Sequence, residues 1–178
     1  LVNSDGFIQL PILGNVKAAG ITKKQLKTDI TNSILDKKLF AYPVNDVYRY
    51  DGYQNPKPVN AGMNPPNGPV INYYIKNVSD STNVEIEVMD KHKKIIKTFS
   101  TKATEKNDKL DVSPGMNRFV WNMLYPPAET IDGLIIWHGT VPGPKAAPGN
   151  YFYKIKTEKD SVEGSFTIKA NPVYKLSQ

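Results

Sequence analysis

The chain has no cysteine among its 178 residues, which excludes disulfides, thiolate catalysis and cysteine-ligated zinc. Its only two histidines, His92 and His138, do not form an H-E-x-x-H zinc motif. No apolar run approaches the roughly 20 residues that a membrane-spanning helix needs. No secretory signal peptide is recognisable, and the chain opens without Met, as expected of a mature or excised fragment. We therefore predict no metal, no cofactor and no membrane span in this chain.

The common catalytic patterns are also missing, since the chain has neither a G-x-S-x-G motif nor a glycine-rich phosphate loop. A sugar hydrolase needs two carboxylates about 5–10 Å apart. Glu85 and Glu87 share one strand face, but we expect them to pair across strands with Lys94 or Lys97. The sequence therefore predicts a chain that is not an enzyme.

The composition favours a loop-rich β protein. Hydrophobic residues make up 39% of the chain and charged residues 22%, and 14 Pro and 12 Gly separate short alternating runs. The net charge of +6 permits contact with polyanions, but the lysines are dispersed rather than clustered. This dispersion indicates solvated strand faces rather than a nucleic-acid surface.

Residues 113–125 carry the clearest strand pattern. A Pro-Gly turn is followed by strict alternation, in which Phe119, Trp121 and Met123 share one face. So large an apolar face predicts the middle of a β-sandwich, with ligand stacking by Trp121 as the alternative. Further short strands are predicted at residues 70–76, 84–89, 94–99, 151–156 and 162–170, a spacing typical of an immunoglobulin-like sandwich over residues 70–178.

Residues 1–50 predict a smaller α+β unit of ββαβ order. Strands are expected at residues 7–10 and 16–19, and a last strand at residues 44–50. Between them, Thr22 and Gln25 form a capping box at the start of a helix. Leu26, Ile30 and Ile34 give that helix an apolar stripe.

The N-terminal sequence resembles that of the polysaccharide-export family of outer-membrane and periplasmic proteins. The resemblance covers about residues 1–48 and is carried by the D-G-x-I-x-L-P-x-L-G run at residues 5–14 and the G-I-T helix start at residues 20–22. It implies a bacterial protein that is periplasmic, outer-membrane-associated or secreted.

Residues 51–69 predict a linker, because Asn-Pro, Pro-Pro and Asn-Gly signals recur through them. The alternative is an extended arm packed along the sandwich, with Val59 and Met63 as anchors. The predicted division is thus a unit at 1–50, a linker at 51–69 and a sandwich at 70–178.

A second resemblance covers about residues 39–172. Its motifs lie at residues 62–75, 84–99, 115–121 and 147–151, and together they resemble the C-terminal domain of secreted proteins with sortilin-like or BNR-repeat propellers. Those proteins are often labelled glycosyl hydrolases, and their C-terminal domain is similar to the immunoglobulin-like domain of the flagellar hook-capping protein. The resemblance implies that any catalytic residue of a longer parent would lie on the propeller. Residues 39–50 fit both resemblances, so a fusion and the pieces of a longer protein are both open.

The candidate binding residues are aromatic and lie in or beside loops: Tyr53, Tyr125, Trp137 and His138, with Tyr48 and Tyr50 nearby. Their rings would stack on sugars or anchor a partner, or else pack the linker onto the sandwich. The sequence thus predicts a non-catalytic extracytoplasmic docking module of a cell-envelope or secreted assembly. The alternative is a carbohydrate-binding accessory domain of a secreted BNR-repeat glycoside hydrolase.

Overall fold

The computed structural model describes residues 2–10, 13–35, 37–50, 66–79, 81–128 and 142–172. Over these residues the chain is mainly β, with a β-sandwich preceded by a small α+β unit, which confirms the predicted fold class. The immunoglobulin-like assignment of the sandwich stays a prediction. The elements, in chain order, are β1 (Phe7–Leu10), β2 (Gly14–Lys17), α1 (Lys23–Leu35), β3 (Leu39–Ala41), β4 (Val47–Tyr48), β5 (Val70–Ile75), β6 (Glu85–Met89), β7 (Ile95–Ser100), a 3-10 turn (Lys106–Asp108), β8 (Gly115–Val120), β9 (Gly149–Lys156) and β10 (Ser161–Lys169).

The N-terminal unit is an antiparallel β1–β2 pair followed by α1. The second strand occupies residues 14–17 rather than the predicted 16–19, because the amides of Ala18 and Ala19 both donate to the Gly6 carbonyl and turn the chain. The capping box is confirmed. The Thr22 amide donates to Gln25 Oε1 at 3.1 Å, and the Gln25 amide donates to Thr22 Oγ1 at 3.2 Å.

The sandwich is built from a five-stranded sheet of order β4-β10-β9-β6-β7 and a three-stranded sheet of order β3-β5-β8. Residues 39–48, which precede the predicted linker, supply one edge strand to each sheet. In β3, Leu39 is aligned with Ile75 of β5, and in β4, Val47 pairs in parallel with Ile168 of β10. The predicted strand over residues 44–50 is therefore wrong in its extent: only Val47–Tyr48 is a strand. The three-part division of the chain stays a prediction, and residues 51–65 lie outside the described residues.

The predicted apolar face lies at the centre of the core. Trp121 and Met123 are fully buried, and Trp121 packs against Tyr151 and Phe166 with ring centroids 5.8 and 6.1 Å away. Phe119 is half-buried and packs against that core. The core interpretation of Trp121 is thus confirmed, and its complete burial rules out stacking on a ligand. The alternation outlasts the strand itself, which ends at Val120.

The pairing predicted for Glu85 and Glu87 is wrong in its partner. Both residues lie opposite β9 as well as β7, and the carboxylate of Glu87 accepts a hydrogen bond from Lys156 of β9. Lys97 is unavailable to them because it forms an ion pair with Asp108 in the 3-10 turn. The side chain of Glu87 is buried in this arrangement, and its ion pair with Lys156 links β6 to β9.

Candidate functional site

Of the four residues singled out as a binding site, the structure describes one. Tyr125 is half-buried, whereas Tyr53, Trp137 and His138 lie outside the described residues. The neighbouring residues Tyr48 and Tyr50 are described. The candidate site is therefore built from Tyr125, Tyr48 and Tyr50 and from the groups that surround them.

A short backbone pairing positions Tyr125. Its amide donates to the Pro144 carbonyl at 2.9 Å, and the Ala146 amide donates to the Met123 carbonyl at 2.7 Å. Gly143 begins this pairing and is itself buried. A Cβ on Gly143 would lie 1.9 Å from the Tyr125 carbonyl oxygen, so the two backbones approach as closely as only glycine allows.

The segment 144–146 also contacts the stretch that carries Tyr50. Arg49 Nη1 donates to the Ala146 carbonyl at 3.4 Å, and Lys145 Nζ donates to the Tyr50 carbonyl. The Arg49 amide donates to the Lys169 carbonyl at 2.8 Å, which attaches the same stretch to β10. The segment 144–146 therefore makes hydrogen bonds both to the stretch with Tyr125 and to the stretch with Tyr50.

Tyr48 and Tyr50 present exposed rings, 43% and 50% accessible, with centroids 6.1 Å apart and planes inclined at 47°. Lys169 Nζ lies 5.9 Å from the Tyr48 ring centroid and 2.9 Å from the carboxylate of Asp46. This hydrogen-bonded ion pair lowers the pKa of Asp46 and raises that of Lys169, so both are charged near neutral pH. We call the three tyrosines with their neighbouring cations the tyrosine–cation surface: Tyr48, Tyr50, Tyr125, Arg49, Lys145 and Lys169.

The phenol of Tyr151 lies beside Tyr125 of this surface. Burial, together with the neighbouring Tyr125 hydroxyl, raises the pKa of Tyr151 to about 12, so its phenol stays protonated at neutral pH. It donates a hydrogen bond to the Ala147 carbonyl at 2.8 Å. Exposed aromatic rings beside fixed cations suit contact with sugar rings that carry acidic groups, or with an acidic partner surface.

The sequence indicates the three tyrosines but not the three cations beside them. Arg49 stands between Tyr48 and Tyr50 in the sequence, a signal that could have been used. Lys145 and Lys169 come from distant parts of the chain and join the surface only through the 144–146 segment and β10. No local pattern predicts that meeting.

A cavity of about 270 Å³ lies at the end of the sandwich where the chain enters β3. It is lined by Lys38, Asn77, Thr82, Thr157 and Asp160, among others. Its hydroxyls serve the surrounding turns: Thr157 Oγ1 donates to the Asp160 carbonyl, and Thr82 Oγ1 accepts from the Ser79 amide. Because these groups are engaged, the cavity is a weaker candidate than the tyrosine–cation surface.

No group of three or more His, Asp or Glu side chains in the described part of the chain is arranged to hold a metal ion. No helix within it is both long and apolar enough to cross a bilayer.

Comparison with known proteins bears on the N-terminal segment. The family model described as polysaccharide biosynthesis/export protein matches residues 1–47. No curated protein matches the chain. The match supports the predicted resemblance of the N-terminal segment and favours an extracytoplasmic, polysaccharide-related role. The resemblance of residues 39–172 to the C-terminal domain of BNR-repeat proteins stays a prediction.

Proposed function

We propose that this chain is a non-catalytic docking module of a bacterial cell-envelope or secreted assembly. The carrying observation is that the segment matched by the polysaccharide-export family, residues 1–47, runs into the sandwich itself. It contains β3 and the first residue of β4, which pair with β5 and β10. The export-like segment and the sandwich are thus joined by backbone hydrogen bonds in both sheets.

Such a connection suits a protein that links two components of an assembly. Edge strands contributed by the export-like segment cannot leave without breaking sheet hydrogen bonds. A load applied to β3 or β4 would therefore be carried into both sheets of the sandwich. This continuity favours a structural role over that of a freely hinged enzyme accessory.

The test is the location and native size of the polypeptide in the cells that make it. We expect an antibody to detect it in the envelope or in the medium, in a particle larger than the chain alone. A chain recovered from the cytosol, or one recovered from the envelope only as a free monomer, would contradict the proposal.

Carbohydrate binding is the second candidate, and the tyrosine–cation surface favours it. The exposed rings of Tyr48 and Tyr50 lie within 6.1 Å of each other and next to Lys169. Calorimetric titration with hyaluronan oligosaccharides, whose uronic acids are anionic, and with neutral cello-oligosaccharides tests it. We expect the anionic series to bind and the double variant Tyr48→Ala/Tyr50→Ala to lose at least tenfold in affinity. Lys91→Ala, an exposed change elsewhere, is the matched control.

A further inference from the structure

Strand β8 is the longest unprotected edge among the described strands. The three-stranded sheet has the order β3-β5-β8, so β8 is paired with β5 on one side only. The other described edges of the sandwich are protected: β3 has three residues and β4 two. A register shift interrupts the pairing of β7 with β6, and the amide of Leu110 donates to its last carbonyl, that of Ser100. Proteins use short edges, bulges and covering segments to prevent strand addition. Among the described residues, β8 spans six residues, its register with β5 is unbroken, and residues 107–111 line a groove beside it without a backbone hydrogen bond to it.

The register shows which backbone groups of β8 point away from β5. The Trp121 amide donates to the Pro69 carbonyl, and Phe119 and Asn117 are aligned in the same phase with Ile71 and Tyr73. In an antiparallel pair, alternate residues direct both backbone groups to the partner and the residues between them direct theirs away. The N–H and C=O groups of residues 116, 118 and 120 therefore form an outward row. Within the described residues nothing pairs with that row.

The side chains of the same three residues give this edge a recognisable chemistry. Met116 is 55% exposed and Val120 is 38% exposed, and Arg118 stands exposed between them. A groove of about 260 Å³ lies beside the strand, bounded by Arg118, Val120 and Asn122 and, on the other wall, by Asn107, Lys109 and Asp111. A strand added along β8 would therefore lie beside an apolar, a cationic and an apolar side chain in turn, two residues apart: Met116, Arg118 and Val120.

We propose that the β8 edge binds an extended segment of a partner protein that places an acidic residue opposite Arg118, with apolar residues two positions on either side. A polypeptide has donors and acceptors at the strand repeat that the outward row requires, and a glycan has not. A carboxylate opposite Arg118 forms a favourable cross-strand pair.

A second copy of this chain is disfavoured as the occupant. Antiparallel self-pairing that aligns all three residues of the outward row places the two copies of Arg118 directly opposite each other, and like charges in that position are destabilising. The partner is therefore a different chain that supplies the acid. This inference assigns a surface to the docking role proposed above and rests on that role.

The probe is a fluorescent peptide, Thr-Val-Thr-Glu-Thr-Val-Thr with blocked ends, whose palindromic order allows either strand direction. Its counterpart has Lys in place of Glu. By fluorescence anisotropy we expect the intact chain to bind the Glu peptide at least tenfold more tightly than the Lys peptide. Arg118→Glu should reverse that preference, whereas Lys91→Glu, the same charge change at an exposed site away from β8, should leave it unchanged. Equal affinities, no saturable binding, or an unaltered preference in Arg118→Glu would overturn the proposal.

Amide hydrogen exchange of the unmodified chain provides a second readout if Arg118→Glu fails to fold. The amides of Met116, Arg118 and Val120 should exchange quickly in the free chain and become protected with saturating Glu peptide. Those of Asn117 and Phe119 should be protected throughout. Protection of the first three without peptide, including protection through a dimer, would overturn the proposal. If the chain is found in a large envelope assembly but fails both peptide tests, binding at the β8 edge is refuted and the proposed docking role remains.

Discussion

Gly143→Ala tests how the tyrosine–cation surface is held in place. An added Cβ would lie 1.9 Å from the Tyr125 carbonyl oxygen and 2.5 Å from that of Pro126, whereas real Cβ contacts below 3.0 Å are essentially never seen. Both atoms belong to the backbone, so no side-chain rotation relieves the overlap. The segments 123–126 and 143–146 must therefore move apart.

The cost has two parts. Overpacking of a closely fitted site costs about 1–3 kcal/mol. Separation also breaks the bonds from Tyr125 to Pro144 and from Ala146 to Met123, at about 1 kcal/mol each. We therefore expect Gly143→Ala to lower the free energy of unfolding by about 3–5 kcal/mol.

Urea denaturation at neutral pH measures this loss, with Gly115→Ala as the control. A Cβ on Gly115 meets no atom within 4 Å, and its φ of +100° leaves only backbone strain of about 1–2 kcal/mol. The two variants thus separate steric overlap from conformational cost. A Gly143→Ala loss no larger than that of Gly115→Ala would refute the close approach that positions Tyr125.

Three further predictions concern the sandwich and the N-terminal unit. The pKa of Tyr73 is raised to about 12, mainly by burial of its side chain. Because this pKa is higher in the folded than in the unfolded chain, the stability contributed by the protonated phenol is complete below pH 10 and is lost between pH 10 and 12. Tyr73→Phe should remove about 3 kcal/mol of that alkaline loss in urea melts across this range, and an unchanged pH profile would contradict it. Gly164→Ala should lower the free energy of unfolding by about 1–3 kcal/mol, because the added Cβ would lie 2.3 Å from the Tyr153 hydroxyl oxygen. Adding Tyr153→Leu to the same chain should relieve most of that loss. If the two losses are additive in the double-mutant cycle, the contact is excluded. Thr22→Ala should destabilise α1 by about 1 kcal/mol, because it removes the hydrogen bond from the Gln25 amide to Thr22 Oγ1. The expected sign is faster amide hydrogen exchange in the first helical turn, and unchanged exchange there would count against the cap.

Local patterns predicted the parts of the fold that local physics controls. The alternation around Trp121 identified a buried face because a strand points successive side chains to opposite sides. The Thr22–Gln25 box identified the start of α1 because both partners lie within one helical turn. Each signal involves residues that are neighbours in the sequence.

Pairing between distant strands could not be predicted in this way. Glu87 selects Lys156, 69 residues away, because β6 lies between β7 and β9, and no spacing in the sequence shows that order. The same holds for residues 39–48, whose strands β3 and β4 pair with β5 and β10. A three-residue and a two-residue edge strand carry too little alternation to reveal their partners.

The candidate site shows the same division. Tyr48, Tyr50 and Tyr125 were identifiable as aromatic residues near loops, but the cations that join them were not. Lys169 reaches Tyr48 only because β4 lies parallel to β10, with Tyr48 aligned to Lys169. The outward backbone row of β8 likewise depends on the order of its sheet.

Photo-crosslinking in the cells that make the protein tests most directly whether the sandwich docks to an envelope or secreted protein. A photoreactive amino acid would replace Met116 on β8, Tyr50 on the tyrosine–cation surface or, as a control, the exposed Lys91. We predict a discrete protein adduct from position 116 and none from position 91. Polysaccharide adducts from position 50, with no protein adduct from position 50 or position 116, would contradict docking at both surfaces and favour carbohydrate binding.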